Sequence, residues 1–507
     1  MSLLIGLDVG TTNTKAVAFD PGAGHVVAVA SRPTPYVSTK TDATEASDRE
    51  IDPDQLWDGV VACLRQVTSV VSSPVLAVGI ASMAEAGVPL DAAGRPLYRI
   101  IPWYDPRTEP QLQRVMTHDD SRRIFQITGQ APRHVHTLYK VLWLKEHEPR
   151  VYHALHRWLS VSDFVGWRLT GEAATDLSLA SRTMFLDQSS GQWSNEMLDI
   201  AGLRAEQLPR LTRSGTTIGT VTPEAARETG LPAGVAVGIG GHDHLCGAVA
   251  AGAVQPGQVV DSIGTAEGLV IPVSHYRDDD TFRLKRICCY AHVLPEQFVV
   301  QAGMAMSGGG LAWLAARLFS EVTDPVAAAV EAAGRVRPGA DGLLYFPYLG
   351  GNGSPIGDEN VAAAFVGLRP SHTHGHLVRA LLEGIAFGIR HSLEVVGSIV
   401  GDLPEPIRVV GGGGRSSLWL QIRANVLHRP VLAVEVPEAV ALGGALLAGV
   451  GAGVYPDAAS AAASVDRETR QYLPDVAHAA IYDRLYCDAY LPLYPALAPV
   501  FAALARE

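Results

Sequence analysis

One short plan occurs twice in this chain, half its length apart. Residues 3–7 form an apolar run, GTTNTK breaks it, and a second apolar run follows at 16–19. A PGAGH turn then sends the chain back over 26–30, the pattern of paired strands joined by tight turns. Much later, residues 258–263 read as a strand, GTAE turns, and residues 268–273 leave as another strand. Gly10 and Gly264 stand 254 residues apart in a chain of 507. A chain of this length exceeds what one hydrophobic core organises. The duplicated strand–Gly-Thr–strand unit therefore predicts two similar α/β domains facing each other across a cleft.

Between and after these units the pattern changes to helical spacing. Residues 122–168 show helical periodicity, 311–319 read as a helix, and 371–399 as a long amphipathic one. A short strand at 408–410, a GGGGRS turn and a helix over 418–427 follow. The Ala-rich stretch after Gly453 reads as helical. The expected division is a first domain over 1–246, a second over 247–453, and a helical extension over 454–507 packed on the second.

Charge and cysteine content restrict the partners. The formal net charge of −12 gives no general attraction for nucleic acid or an anionic membrane. A bound polyanion must then be held locally, by backbone N–H groups and a metal ion. The five cysteines, Cys63, Cys246, Cys288, Cys289 and Cys487, are too scattered for a disulfide framework. The adjacent pair Cys288 and Cys289 reads as two buried thiols in an apolar strand. The first residues lack the basic start and cleavage site of a signal peptide, and no unbroken apolar run of about 18 residues is seen. The expectation is a cytoplasmic protein without a membrane span.

GLDVGTTNTK carries the densest chemistry. Asp8 ends a strand, Gly10 permits a tight turn, and Thr11, Thr12 and Asn13 bring hydroxyl and amide groups. Such a turn aims successive N–H groups at one point, a nest for phosphate oxygens. Asp8 is placed to hold Mg2+ through water, and Lys15 to add positive charge beside the phosphates of ATP. An ordinary β-turn has the same composition. The second loop, Gly264 and Thr265, tips the balance, because two facing phosphate loops make a nucleotide clamp.

Asp243 lies in GIGGHDHLCGA, just before the second domain. Phosphoryl transfer needs positioning, metal charge and an acceptor for the hydroxyl proton. A lone carboxylate at the cleft suits that last task, although the same residue also reads as the start of a helix. GGGGRSS over 411–417 lets the backbone approach a ligand closely. It lacks the GxGxxG spacing and the following acid of a dinucleotide site, so contact with adenosine or the α-phosphate is the better reading. Trp103, Asp105 and Arg107 share the loop IIPWYDPR. An indole face beside a carboxylate and a guanidinium grips polyhydroxylated ligands; a core Trp with a surface ion pair is the plainer alternative. His372, His374 and His376 alternate like strand ligands for a metal. They lie in a polar turn without a nearby acid or cysteine pattern and read as the solvated start of a helix.

These pieces, in this order, resemble the FGGY carbohydrate kinases, the family of glycerol kinase and xylulokinase. The resemblance runs from Gly6 to about Gly449. YKVLWLKEHEP matches the core of the first family signature, and AFVGLRPSHTHGHLVRALLEGIAFGIR follows the second, with Leu381 where a smaller or branched residue is usual. LSVSDFVGWRLTGEAATDLSLASRT and PEAVALGGALLAG look like further shared segments. The resemblance implies two actin-like, ribonuclease H-like domains, with sugar on the first and ATP mainly on the second. It matches Asp8 to the magnesium-associated aspartate and Asp243 to the catalytic base, the latter also near the metal. Gly10, Thr11 and Thr12 match the first phosphate loop, Gly264 and Thr265 the second. Gly308 aligns with a nucleotide-contacting glycine, and Gly412, Gly413 and Ser416 fall in the adenosine motif. Trp103 and Asp105 occupy sugar-site positions, and Arg107 belongs to the same motif.

The departures concern the substrate. Glu85 falls where glycerol kinases carry glutamate and xylulokinases histidine, and Ala84 replaces an arginine of glycerol kinases. His244 stands where glutamine is common, and GNGSP at 351–355 lacks the arginine of a GERSP-like segment. The implied substrate is a hydrogen-bonded ketose or polyol, with glycerol itself disfavoured, and a homodimer is among the assemblies left open. Two rivals are a nucleotide-switched binding protein on the same scaffold and an NAD-dependent oxidoreductase built on GGGGRS. Neither has the peptide-binding module or the acid it requires.

Overall fold

The computed structural model of the protein describes residues 2–38, 49–71, 73–118, 120–351, 353–358 and 360–505. Asn352, in the GNGSP segment, lies outside the described residues. Two mixed sheets organise the chain. The first contains β1 (Leu3–Val9), β2 (Asn13–Asp20), β3 (His25–Pro33), β4 (Val75–Ser82), β5 (Thr217–Thr220) and β6 (Ala236–His242), in the order β5-β6-β4-β1-β2-β3. The second contains β7 (Val260–Ile263), β8 (Glu267–Val273), β9 (Cys288–Ala291), β10 (Phe298–Met304), β11 (Ile407–Val410), β12 (Val431–Glu435) and β13 (Glu468–Tyr472). Its order is β9-β10-β8-β7-β11-β12-β13.

The two sheets share a topology. In the first, β1, β2 and β3 pair antiparallel, while β4 joins β1 and β6 joins β4 in parallel. In the second, β7, β8 and β10 pair antiparallel, while β11 joins β7 and β12 joins β11 in parallel. The repeated Gly-Thr unit is thus the first hairpin of each sheet. It opens at the carboxyl ends of parallel strands, where α/β folds bind ligands.

The central strand β1, LLIGLDV, is buried on both faces, as its near-continuous apolar run requires. On one face lies α1 (Pro53–Val70), started by Asp52, whose side chain accepts from the N–H groups of Asp54 and Gln55. Leu56, Val60 and Leu64 from this helix meet Ile5 and Leu7 in one core. Further helices that matter to the cleft are α2 (Ser121–Thr128), α3 (Thr137–His147), α4 (Leu177–Arg182), α5 (Asp243–Ala250), α6 (Gly308–Leu318), α7 (His374–Val400), α8 (Ser417–Leu427) and α9 (Ala439–Gly451).

The last of these crosses back. A methyl group on Gly6 would lie 1.8 Å from the Ala441 carbonyl oxygen, and one on Gly79 would lie 1.9 Å from that of Gly444. Helix α9 therefore rests directly on β1 and β4, so the chain returns to the first sheet after building the second. The stretch beyond residue 453 is not uniformly helical. Ala461 packs with Leu4 and Phe19 of the first domain, and β13 adds an antiparallel edge to the second sheet. Residues 476–504 form one helical stretch of hydropathy 1.3, long and apolar enough to cross a membrane by length and composition alone. The sequence reading found no such run because Asp483, Arg484 and Asp488 interrupt it. Tyr482, Tyr486, Tyr490 and Phe501 from this stretch are buried with Phe346 and Phe387 in the second domain. These are the contacts of a helix docked on a domain.

Cys288 and Cys289 are free and buried in β9. His374 begins α7, and His376 reaches back to Thr373, with its other ring nitrogen 3.2 Å from Asp341. Among the described residues no group of three His, Cys, Asp or Glu side chains could hold a metal ion.

Candidate active site

A cavity of about 320 Å3 opens between the sheets. Thr11 of the first Gly-Thr loop and Ala266 of the second both line it, together with Glu85, Trp103, Asp243 and His244. The two loops therefore border one space.

Asp8 ends β1 and sits opposite Lys15 on β2 and Ala81 on β4. Asp243 is the first residue of α5, directly after β6, whose His242 pairs with Ser82 of β4. Two carboxylates thus lie at the carboxyl ends of β1 and β6, the two parallel strands that flank β4. Burial, with the charge of Asp243 next, pushes the Asp8 carboxyl up to about 8. Asp243 is also raised by burial, while His244 pulls the other way. Its side chain remains 26% exposed, open to the cavity rather than sealed in a core. The His244 N–H donates to Asp243 Oδ1 at 2.6 Å. The His242 ring spans Asp243 Oδ1 at 3.2 Å and the Tyr290 hydroxyl at 3.1 Å. Burial holds His242 well below the usual histidine range, so the ring is neutral and carries a single N–H.

Mg2+ fits this pair. Two facing carboxylates repel until a cation stands between them, and one or two carboxylates are the protein share of a Mg2+ site completed by water and phosphate oxygens. Lys15 is already engaged: its Nζ lies 2.6 Å from Glu438, at the start of α9. Its charge is shared with the second half of the chain.

The first loop is fixed by neutral hydrogen bonds. The Gly10 N–H donates to the Asn13 carbonyl at 3.0 Å. Thr34 Oγ1 donates to the Gly10 carbonyl at 2.8 Å, and the Tyr36 hydroxyl donates to that of Thr11 at 2.9 Å. Trp103 Nε1 donates to Thr11 Oγ1 at 2.9 Å. Thr12 is exposed, and Asn13 opens β2.

The second loop is held differently. Its Gly264 and Thr265 carbonyls accept from the N–H groups of Gly308, and of Ser307 and Gly309, at 3.0–3.1 Å. A methyl on Gly308 would come 2.4 Å from the Gly264 oxygen, so only glycine fits there. Beneath the loop, fully buried Arg423 of α8 bonds Asp261 at 2.5 Å and Glu267 at 2.7 and 2.8 Å, and Glu267 also accepts from Ser307. The glycine run packs on the same spot: a methyl on Gly413 would lie 2.4 Å from Ile263 Cγ2, whereas one on Gly412 meets nothing. Gly412 leaves the backbone open to a ligand, and Ser416 caps α8. The glycines assigned to ATP on the second domain thus gather around one loop.

Among the residues expected to meet sugar, Glu85 lines the cavity with φ of 63°, a strained conformation for a non-glycine residue and one found preferentially at functional sites. Arg182 of α4 holds it through Nε at 2.7 Å and also bonds Gln130 at 2.6 Å. Trp103 lines the cavity as expected. Asp105 does not reach it: the carboxylate is 0% exposed, caps the next turn and pairs with Arg107 at 2.8 Å. Arg107 also bonds Glu50 at 2.6 Å and stacks 5.1 Å from the Trp143 ring. This pair shapes the Trp103 loop from behind.

Arg133, His136, Arg182, His242 and Arg286 also line the cavity, and the sequence reading named none of them. Arg182, set among small residues in SLASRT, and Glu85, alone in the apolar run ASMAEAGVPL, each needed a partner. That shared need was the available signal.

Residues 3–250 match the N-terminal domain of the FGGY family of carbohydrate kinases, and residues 266–452 its C-terminal domain. The chain is 30% identical over 501 residues to a xylulose kinase of Bacillus subtilis (strain 168), covering 97% of each chain. It is 30% identical over 475 residues to an L-fuculokinase of Escherichia coli (strain K12), covering 93% of this chain and 97% of that one. The crystal structure of xylulose kinase from Rhodospirillum rubrum superimposes with a TM-score of 0.90 at 33% identity, over 99% of this chain and 100% of that one.

Proposed function

The chain belongs to the FGGY family of carbohydrate kinases, and from that membership and the cleft geometry we propose how it acts: the γ-phosphoryl group of ATP passes to a hydroxyl of a small open-chain ketose or sugar alcohol, with Asp243 as the base. The observation that carries the reading is the position of Asp243. Its part-exposed carboxylate opens into a cavity that both Gly-Thr loops border.

The substrate hydroxyl donates to Asp243, whose raised proton affinity suits a group that must accept a proton as the O–P bond forms. The His244 N–H and the His242 ring hold the carboxylate in place. Glu85, fixed by Arg182, accepts from a substrate hydroxyl, and the Trp103 ring offers an apolar wall. Gly264, Thr265 and Gly308, with the open backbone at Gly412 and Gly413, receive the nucleotide, while Gly10 and Thr11 close on it from the first domain. Mg2+, held by Asp8 and Asp243, would neutralise phosphate charge during transfer. The xylulose kinase and L-fuculokinase relatives support a ketose, and Ala84 in place of a glycerol-kinase arginine argues against glycerol. ATP supply and free thiols support the cytoplasm as the site of action.

Asp243→Asn tests the role. Turnover measured by ADP release is expected to fall on the order of a thousandfold, with sugar binding by calorimetry retained. Turnover near that of the wild type would remove Asp243 from the mechanism. Phosphate release from ATP that is indifferent to sugar would favour a nucleotide-switched binding protein instead.

A further inference from the structure

A second cavity, of about 230 Å3, shares no lining residue with the one that holds Asp243. One wall comes from the N-terminal family domain, with Leu177, Leu186, Ser189 and Arg213. The other is the turn between β9 and β10, in the C-terminal domain. The walls are joined: the Ala291 N–H donates to Gln188 Oε1 at 2.8 Å, and Gln188 Nε2 donates to Ser181 Oγ of α4 at 3.0 Å. Two elements reach from this cavity to the other. Helix α4 has Leu177 here and Arg182 there, and β9 has Ala291 here and Cys288 there.

Two polar groups of the turn are buried in this wall without a partner. His292 is 4% exposed, and burial pushes its ring down to about 3, so it is neutral. Its Nδ1 accepts from the Leu294 N–H at 3.0 Å, which places the single proton on Nε2. Among the described residues that Nε2–H finds no acceptor, and Gln297 Oε1 finds no donor. The His292 N–H donates to the Gln297 carbonyl at 3.0 Å, continuing the pairing of Ala291 with Phe298. Side chains paired in this way rise on one face of a hairpin. A donor and an acceptor therefore stand side by side, and burying either one unbonded costs about 1–3 kcal/mol.

The chemistry of an occupant follows from this pair. One molecule satisfies both groups if it shows a carbonyl and an N–H on the same side. A trans secondary amide points them in opposite directions, whereas a lactam or a primary amide shows them together. Charge is not called for: Arg213 and Glu296, 3.6 Å apart and exposed, are the only charged side chains among the described residues of the lining. Leu177, Leu186, Val293 and Leu294 supply apolar surface, and the volume suits one or two rings. We propose that this cavity is a regulatory site for a small uncharged lactam or primary amide, bound through His292 Nε2 and Gln297 Oε1. A ligand held by both domains favours the arrangement in which both walls stand. Helix α4 carries that preference to Arg182, which fixes Glu85 in the other cavity. Binding here stands apart from the kinase reading, and only its effect on sugar rests on that reading.

The test titrates purified full-length enzyme with uracil, hypoxanthine and nicotinamide, by calorimetry and ligand-observed NMR. Mg2+ and saturating ADP keep the nucleotide site filled throughout. At least one probe is expected to bind with a Kd of about 1 mM or tighter, and N-methylacetamide, a trans amide, to bind far more weakly. His292→Phe and Gln297→Met should each weaken that binding about tenfold or more. Ser189→Trp, which fills the cavity from its exposed rim, should abolish it with ADP affinity unchanged. The Ser189 variant decides if the other two fail to fold. The bound probe should tighten binding of the best sugar from the ADP-release assay about threefold or more, and that sugar should tighten the probe by the same factor. No binding, or binding indifferent to all three substitutions, would overturn the site and leave ordered water to satisfy the pair. Binding without any effect on sugar would overturn its regulatory role. Binding, with the losses above, by an enzyme that phosphorylates no sugar would support the site and overturn the kinase reading.

Discussion

The two Gly-Thr loops share a plan and a place at the mouth of one cavity, but they are built on different physics. The first is tied by neutral hydrogen bonds to Thr34, Tyr36 and Trp103, residues of the first domain. The second stands on a fully buried ion cluster, Arg423 with Asp261 and Glu267, and is backed by the amides that open α6. A buried charge cluster fixes geometry at the cost of desolvation and fails badly when one member is lost. Hydroxyl and indole contacts are individually weaker and transmit the state of whatever they touch. On the proposed function, the second loop would be a platform for nucleotide, and the first a link between nucleotide and sugar.

Removing the platform has the largest expected effect. Arg423→Met leaves Asp261 and Glu267 buried without their counter-ion, at a cost of about 3–5 kcal/mol. Urea denaturation should show the loss as a lower midpoint, and an unchanged midpoint would mean that the cluster is not what steadies this loop. Next comes Gly308→Ala. The added methyl meets the Gly264 oxygen at 2.4 Å, whereas the same change at Gly10 meets the Asn13 oxygen at 3.1 Å. KM for ATP should rise roughly thirtyfold in the first variant, about 2 kcal/mol, and distinctly less in Gly10→Ala. Equal effects would erase the difference between the loops.

How much of this was legible beforehand depended on whether a residue's partner lies nearby in sequence. The two Gly-Thr hairpins and α7 were readable because strand alternation, turn glycines and helical period are local. β13, ETRQY, was not: as a largely exposed edge strand it buries no face and shows no apolar alternation. The short strand Arg157–Ser160 inside an otherwise helical stretch was missed because its pairing partner is Gly87–Leu90, far back in the chain. Asp8, Asp243 and the loop glycines were legible because their chemistry is carried by local motifs. Arg182, His242 and Arg133 were not, since what marks them is a charge or ring meeting a distant element. Asp105 and Arg107 show the converse: a motif with the composition of a binding loop turned inward to support it.

Asp8 gives a smaller, pH-dependent test. Its folded carboxyl titrates near 8 and its unfolded one near 3.8, so between those values the native state keeps a proton that the unfolded state has released. Without metal, stability on this account is greatest in acid and declines as pH rises through that window, by about 1.4 kcal/mol per unit. Asp8→Asn should flatten that part of the slope when denaturation midpoints are compared at about pH 6 and 7.5 in chelator. Added Mg2+ should flatten it in the wild type alone. A slope that survives the substitution would assign it to another group.

The smallest expected effect bears most directly on the link. Trp103→Phe keeps an aromatic wall but removes the N–H that donates to Thr11 Oγ1, a neutral bond worth about 1 kcal/mol. If the first loop reports sugar occupancy to the nucleotide, kcat/KM for sugar should fall about threefold to fivefold, with KM for ATP changed less than twofold. Thr11→Val breaks the same bond from the other side, so the double variant should cost little more than either single one. Additive losses, or a change confined to ATP, would show that the indole and the loop act separately. The first loop would then be a nucleotide platform like the second, and coupling between the ligands would have to run through Lys15 and Glu438, the ion pair that joins β2 to α9.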